Sequence, residues 1–238
     1  MKLLLYIAAI GNPKIEEKLT ILHNNLKYIE NTNCFDEITL SLNIYDSYEI
    51  ITDYLKKYSN KIFIHYKKGI LSELFLTNPH NNIIYNHDYI LFILDDVKIN
   101  NINFKDFINI KQKYSIEFLS PKILNGSWPY MYNQPSNVLS IMNHLEIFCI
   151  FFEPKDFKKF LEINCIHNKW IWGVDHLFGF LNITTCIYNK YTVSHCFRTN
   201  GETQTAITLM HNFLKTKHNT NINYLRQKYR PIKNIIAI

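Results

Sequence analysis

Four apolar runs of strand length, separated by stretches of helical periodicity, occupy residues 1–95, and no other feature constrains the fold as tightly. Residues 2–9 read as a continuous apolar strand, as expected in the middle of a parallel sheet covered on both faces. Pro13 then opens a helix on which Ile15, Leu19, Leu22, Leu26 and Ile29 form one apolar stripe. Ile38, Leu40, Leu42 and Ile44 alternate with polar neighbours, the mark of a half-buried strand. Asp46 with Glu49 reads as a capping box for a helix carrying Ile50, Tyr54, Leu55 and Tyr58. Ile62, Ile64 and Tyr66 give a third strand, Leu71, Leu74 and Phe75 a short helix after Gly69, and Tyr89–Leu94 a wholly apolar fourth strand. The order β-α-β-α-β-α-β predicts a doubly wound, mostly parallel α/β sheet flanked by helices.

The second half is less regular. A helix is predicted near 104–112 and a strand near 115–119, followed by an aromatic loop, Gly126-Ser127-Trp128-Pro129-Tyr130. Leu145–Phe152 reads as a strand, and Pro154 starts a helix through Phe157, Phe160 and Leu161. An apolar helix follows at 175–182, then strands at 184–188 and 191–196 and a last helix at 203–216. No Gly-, Ser- or Pro-rich linker divides the chain. Residues 1–216 are expected to form one domain, with halves 1–97 and 98–216, and 217–238 a basic peripheral tail.

Composition narrows the classes further. Hydrophobic residues make up 47% of the 238 positions and charged ones 19%, which excludes a disordered polyelectrolyte. Abundant Ile, Asn and Lys with scarce Gly, Ala and Arg is the bias an AT-rich genome writes. The net charge of +6 is mild and contains no long like-charged run, so it singles out no partner. The 16 Tyr and 16 Phe fall mostly at core periodicities rather than in a basic-aromatic stripe, which argues against nucleic acid. Cys34, Cys149, Cys165, Cys186 and Cys196 are widely spaced with no C-x-x-C pair, as reduced thiols of a cytoplasmic protein would be. The apolar start ends in Gly11-Asn12-Pro13 without a cleavage pattern, so it reads as a strand rather than a leader, and no apolar run is long enough to span a membrane.

Three segments could carry chemistry. Asp95 and Asp96 close the fourth strand, at the edge where open α/β sheets bind ligands. Adjacent carboxylates repel and are commonly held by a cation; Mg²⁺ or Mn²⁺ with one or two carboxylates plus phosphate oxygens is a recurring arrangement. Asp is equally at home in a strand-end turn. In Lys169-Trp170-Ile171-Trp172-Gly173-Val174-Asp175-His176, aromatic platforms suit sugars or bases, Gly173 allows close approach, and Asp175 is a candidate proton acceptor or a helix cap. His195, at the end of a strand-like run, is a candidate metal ligand or a structural histidine.

Taken in order, the acidic pair after a β-α-β-α-β-α-β half, the Trp172-Gly173-Val174-Asp175 segment opening a helix, and the strand-borne His195 resemble nucleotide-sugar-dependent glycosyltransferases of the GT-A (Rossmann-like) fold. The similarity is greatest to members with a G-W-G-x-D acceptor motif and to GT-A proteins of large DNA viruses with AT-rich genomes, which would place the chain in a host cytoplasm. The resemblance implies a metal-dependent transferase using a UDP- or GDP-sugar and a glycan or other hydroxyl acceptor. It assigns Asp95, Asp96 and His195 to Mn²⁺ or Mg²⁺, and Asp95 also to the donor diphosphate. It places Lys68 and Gly69 on the donor, and Ala8, Ala9, Ile10 and Asp46 around the base. Asp175 becomes the base of an inverting reaction, with Trp128, Trp172, Gly173 and His176 on the acceptor side.

Two departures accompany it. The family motif is Asp-x-Asp or Asp-Asp-Asp, whereas the run here is Leu94-Asp95-Asp96-Val97. Metal binding survives if Asp96 aligns with the last family Asp and is weakened if Val97 does. Ile171 also replaces the Gly that precedes Trp172 in the motif. A non-catalytic sugar- or nucleotide-binding protein of the same fold is the competing expectation. A zinc hydrolase using Cys165, His167, His176 or His195 lacks any closed ligand spacing.

Overall fold

The structure is a computed structural model describing residues 1–128, 133–197 and 203–238. Strands β1 (Lys2–Ile10), β2 (Glu37–Ile44), β3 (Ile62–Tyr66) and β4 (Tyr89–Ile93) lie parallel in the order β4-β1-β2-β3. Leu5 sits centrally, facing Leu40 on one side and Leu91 on the other. Helices α1 (Ile15–Asn31), α2 (Tyr48–Leu55) and α3 (Leu71–Phe75) make the crossovers. All four carboxyl ends therefore open on the same edge. Chain order reverses between β1 and β4, the switch point where such sheets leave a crevice.

Beyond β4 the sheet continues with β8 (Cys149–Phe152), β6 (Phe118–Leu124), β9 (Thr185–His195), β7 (Val138–Met142) and β10 (Ile232–Ala237). Only β6 and β9 pair parallel there. A short β5 (Val97–Asn101) starts immediately after the acidic pair and runs antiparallel to the end of β9, with Val97 opposite His195. Helices α4 (Phe104–Lys113), α5 (Pro154–Ile163), α6 (Leu177–Phe180), α7 (Thr203–His218) and α8 (Ile222–Lys228) complete the described residues.

The aromatic residues fill the core, as their periodicity implies. Phe92 packs on Phe160 with ring centroids 5.2 Å apart, and Phe118 meets Phe152 at 4.9 Å. All four are fully buried. Edge-on and offset contacts of this kind add to the burial of apolar area.

Several local expectations are corrected. The strand predicted at 145–152 is confined to β8, because residues 143–148 turn to bring His144 and Glu146 inward. The helix predicted at 175–182 shrinks to α6, and the two strands beyond it merge into β9. Residues 217–238, expected as a basic peripheral tail, carry regular elements. They contribute the end of α7, then α8 and the edge strand β10, whose Ile235 and Ile236 lie opposite Ser140 and Leu139 of β7. Dense Lys and Asn hid that strand's apolar residues. The capping box of α2 does not form either: Ser47 is the N-cap residue, left-handed at φ 55°, with no side-chain cap bond. The Asp46 carboxylate instead accepts from the Asn12 N–H at 2.7 Å and the Ser47 hydroxyl at 2.9 Å.

Candidate functional site

Lys18 and Asp95 meet in the crevice between β1 and β4. The Lys18 side chain, on the buried stripe of α1, reaches Asp95 Oδ2 at 2.8 Å. Its ammonium also donates to the Gly11 carbonyl at 2.7 Å and to Tyr45 Oη at 3.2 Å. Burial pushes the Asp95 carboxyl up to about 7, against the opposing pull of the Lys18 charge and hydrogen bond. Desolvation disfavours the charged form, and the neighbouring cation, with a smaller contribution from the Gly11 backbone, limits the shift.

The residues expected around the base lie on this rim. Ala8 and Ile10 are buried and Ala9 is partly so, while the Ile10 carbonyl accepts from the Tyr45 N–H at 3.1 Å. A Cβ at Gly11 would stand 2.6 Å from Asp46 Oδ1 and from the Tyr45 ring, so a larger residue there would displace those side chains. Lys68 is exposed after β3, and Gly69 lies against Glu73, whose carboxylate accepts from the Ile70 N–H at 3.0 Å and pairs with Lys169 at 3.4 Å. Short α3 is thus tied to the segment leading into Trp170 and Trp172; Ser72 adds bonds to the carbonyls of Ile166 and Lys169.

Asp96 and His195 come together as the sequence reading expected. Oδ2 lies 3.0 Å from Nε2 because the β5–β9 ladder sets Val97 opposite His195 and the Cys196 N–H on the Asp96 carbonyl. Phe148 stacks on the imidazole at 4.5 Å. Burial pulls the His195 pKa down, but the Asp96 hydrogen bond and charge outweigh it and leave it raised. The other Asp96 oxygen, Oδ1, is buried without a hydrogen-bond partner, a costly state unless something occupies it. Asp95 is not drawn into this pair; its Oδ2 forms an ion pair with Lys18 at 2.8 Å, although that oxygen, too, is buried without a well-directed hydrogen bond.

A second cluster forms around Asp175. His144 Nε2 lies 2.6 Å from Asp175 Oδ2, and the His144 and His176 rings lie 3.7 Å apart. Burial pushes the Asp175 carboxyl up, but the charge and hydrogen bond of His144, with help from His176, pull it down to about 2. Burial, not fully offset by the Asp175 charge, lowers His176 to about 4. Trp128 stands edge-on to both imidazoles, at 5.5 and 6.2 Å. Asp175 does not cap α6, whose N-cap is His176. Among the described residues, His144, Asp175 and His176 are also the one trio of His, Cys or acidic side chains whose ligand atoms lie within 4.8 Å of one another.

A cleft of about 260 Å³ opens beside this cluster, lined by Trp128, His176, Arg226, Tyr229 and Pro231. Trp172 is exposed and is not part of that lining. Gly173 is left-handed at φ 82°, packed against Met210, and Ile171 before it is also left-handed at φ 56°. A β-branched residue in that region is unusual and costs backbone strain. Pro129 and Tyr130 lie outside the described residues. A larger cavity of about 420 Å³, near Tyr28, Cys34 and Phe104, contains none of these acidic or histidine groups.

Lys18, Tyr45, His144 and Arg226 were not singled out from the sequence. Lys18 had a signal: it sits three residues after Ile15 and four before Leu22, a cation on a buried stripe. His144 lies in a turn with no periodicity, and Arg226 in the stretch read as a tail.

No family model and no curated protein matches the sequence. Solved structures do. GalNAc-T7, crystallised with UDP, GalNAc and Mn²⁺, superposes with a TM-score of 0.63 at 8% identity over 94% of this chain. The chain spans only 49% of that protein's length. Staphylococcus aureus TarS residues 1–349 with UDP-GlcNAc gives a TM-score of 0.56 at 14% identity, over 95% of this chain and 70% of that one. The fold of this chain is therefore that of the GT-A glycosyltransferases.

Proposed function

We propose that this protein is a glycosyltransferase that moves a sugar from a nucleoside-diphosphate sugar to a hydroxyl acceptor. The observation that carries the reading is the Asp96–His195 pair at the switch-point edge, with one carboxylate oxygen buried and unpartnered. The UDP and UDP-GlcNAc in the two superposed proteins favour a uridine donor. In this reading Ala8, Ala9, Ile10 and Asp46 border the base, and exposed Lys68 beside Gly69 reaches the diphosphate or sugar.

The donor set suits a divalent cation. A carboxylate and an imidazole leave coordination positions for diphosphate oxygens, and the imidazole favours Mn²⁺ over Mg²⁺. When bound, such a cation supplies neutralisation of the charge developing on the departing diphosphate. Asp96 and His195 would hold it, while Asp95, gripped by Lys18, shapes the crevice beside them rather than completing the ligand set.

On the acceptor side Asp175 is the candidate base of a single displacement with inversion. A hydroxyl is a poor nucleophile at neutral pH, and a fixed carboxylate accepts its proton as attack proceeds. His144 holds the Asp175 carboxylate in place.

Calorimetric titration of UDP with Mn²⁺ and with excess EDTA tests the donor half, and hydrolysis of UDP-sugars in Mn²⁺ tests turnover. Unchanged UDP affinity in EDTA rejects the metal. Tight binding without hydrolysis or transfer to any acceptor favours the non-catalytic binding protein. Proton NMR of a product sharing the donor's anomeric configuration rejects inversion.

A further inference from the structure

The cleft beside Asp175 has a composition that selects among acceptors. Trp128 offers an indole against which the apolar face of a sugar ring can stack, and Tyr229 and Pro231 close the sides. Arg226 stands over the Trp128 ring, its guanidinium carbon 5.6 Å from the centroid. It is exposed and makes no ion pair with any described carboxylate. Asp175, the acid of the neighbouring cluster, is already engaged by His144. The Arg226 charge reaches the site nonetheless, since it helps lower the His176 pKa.

Arg226 is also held in position. Helix α8 begins with Asn221, whose side chain accepts from the Tyr224 N–H at 2.9 Å, and it buries Ile222 and Leu225. The chain after it is fixed by Asn143, which donates from its backbone N–H to the Pro231 carbonyl at 2.8 Å and from its side chain to the Arg230 carbonyl at 2.9 Å. Tyr229 packs edge-on against Phe180 of α6. The backbone that carries Arg226 is thus fixed, and its guanidinium over Trp128 is a planar fork that matches a carboxylate or phosphate in a two-pronged hydrogen bond.

We infer that this cleft is a subsite for an anionic saccharide, in which the sugar ring stacks on Trp128 and its carboxylate or phosphate pairs with Arg226. The inference rests on the glycosyltransferase reading, for it names the class of acceptor that the Asp175 side would take.

The test is direct binding, which requires no turnover. Ligand-observed NMR titrations compare methyl glucuronide, methyl glucoside and glucose 6-phosphate on the full chain. The anionic sugars are expected to bind about tenfold more tightly than methyl glucoside, and Arg226→Ala to erase that difference. Arg226→Lys, which keeps the charge but not the fork, should restore only part of it. Comparing glucuronide with phosphate shows which anion is preferred. Trp128→Ala should weaken all three sugars alike. Equal affinity for neutral and anionic sugars, or a preference that survives Arg226→Ala, overturns the inference. UDP binding, measured in parallel, should be untouched by Arg226→Ala, which also reports that the variant is folded. If UDP fails to bind the unaltered protein while the anionic preference holds, the transferase reading fails and the subsite stands.

Discussion

His195 Nε2 lies 3.0 Å from Asp96 Oδ2 although the two residues are 99 apart in sequence. The contact is a product of topology. Strand β5 begins at Val97 and pairs with the last residues of β9, so the residue after the acidic pair faces the histidine in register. If this pair holds a cation, Asp96→Ala should remove Mn²⁺-dependent UDP binding, and His195→Ala should weaken it by roughly 10–100-fold, a range typical of perturbed metal sites. His144→Ala should leave it unchanged. Calorimetry of the three variants decides between this pair and the His144, Asp175 and His176 trio.

The grip of Lys18 on Asp95 gives a second prediction. Both side chains are largely withdrawn from solvent, at 7% and 13% exposure, so removing one partner strands the other. Breaking a buried ion pair costs ~3–5 kcal/mol, and Lys18→Met should fall near the low end, because the stranded carboxyl can discharge by taking a proton. Adding Asp95→Asn should recover part of the loss, since a neutral amide needs no counter-charge. Urea unfolding of the single and double variants measures it. A cost near zero for Lys18→Met would mean that the pair contributes nothing to the crevice.

Much of this architecture was legible before any coordinates. The stripe Ile15, Leu19, Leu22, Leu26, Ile29 and the apolar runs ending at Ile10, Ile44, Tyr66 and Leu94 specify crossover units locally, through periodicities of 3.6 and 2. Asp95 and Asp96 stood out because charge is abnormal at the end of a buried run. The meeting of Asp96 with His195 was anticipated only through a resemblance, since strand pairing at long range leaves no local trace. What stayed hidden was of two kinds. His144 is placed by a turn whose shape depends on tertiary contacts, and Ile235 and Ile236 form an edge strand amid Lys and Asn that mask its alternation. Asp46 was misread for a related reason: an Asp just before a helix is an N-cap by default, but here Asn12, from a neighbouring loop, competes for its carboxylate.

Acid stability should depend on His176. Its native pKa, lowered by burial to about 4, lies below the ordinary histidine value of 6.5. The unfolded chain therefore binds more protons than the native one between those values. The contribution is fully present above pH 6.5 and is lost as pH falls towards 4. The shift corresponds to about 3 kcal/mol at most. His176→Phe keeps a ring against His144 and Trp128 but cannot titrate, so melting temperature should decline less steeply across this window than in the unaltered protein. Parallel slopes would show that the His176 environment does not penalise its charged form.

The last prediction concerns Asp175. The helix-cap explanation of this residue is removed by the structure, because α6 is a single turn whose N-cap is His176, and the Asp175 carboxylate is spent on His144 instead. Asp175→Asn preserves the shape but replaces an ionised acceptor by a neutral amide. The hydrogen bond from His144 weakens, and stability should fall by ~1–2 kcal/mol, the difference between a charge-assisted and a neutral hydrogen bond. If Asp175 takes the acceptor's proton while Asp96 and His195 hold the donor, turnover should fall by roughly 10²–10⁴-fold while the donor KM barely moves. His144→Phe separates positioning from chemistry. It leaves the carboxylate in place without its anchor, so it should lower turnover less than Asp175→Asn and raise the pH at which activity begins, because the Asp175 carboxyl loses the neighbour that depresses it. Full activity in Asp175→Asn, with the stability loss as expected, would assign Asp175 to structure alone and require another base.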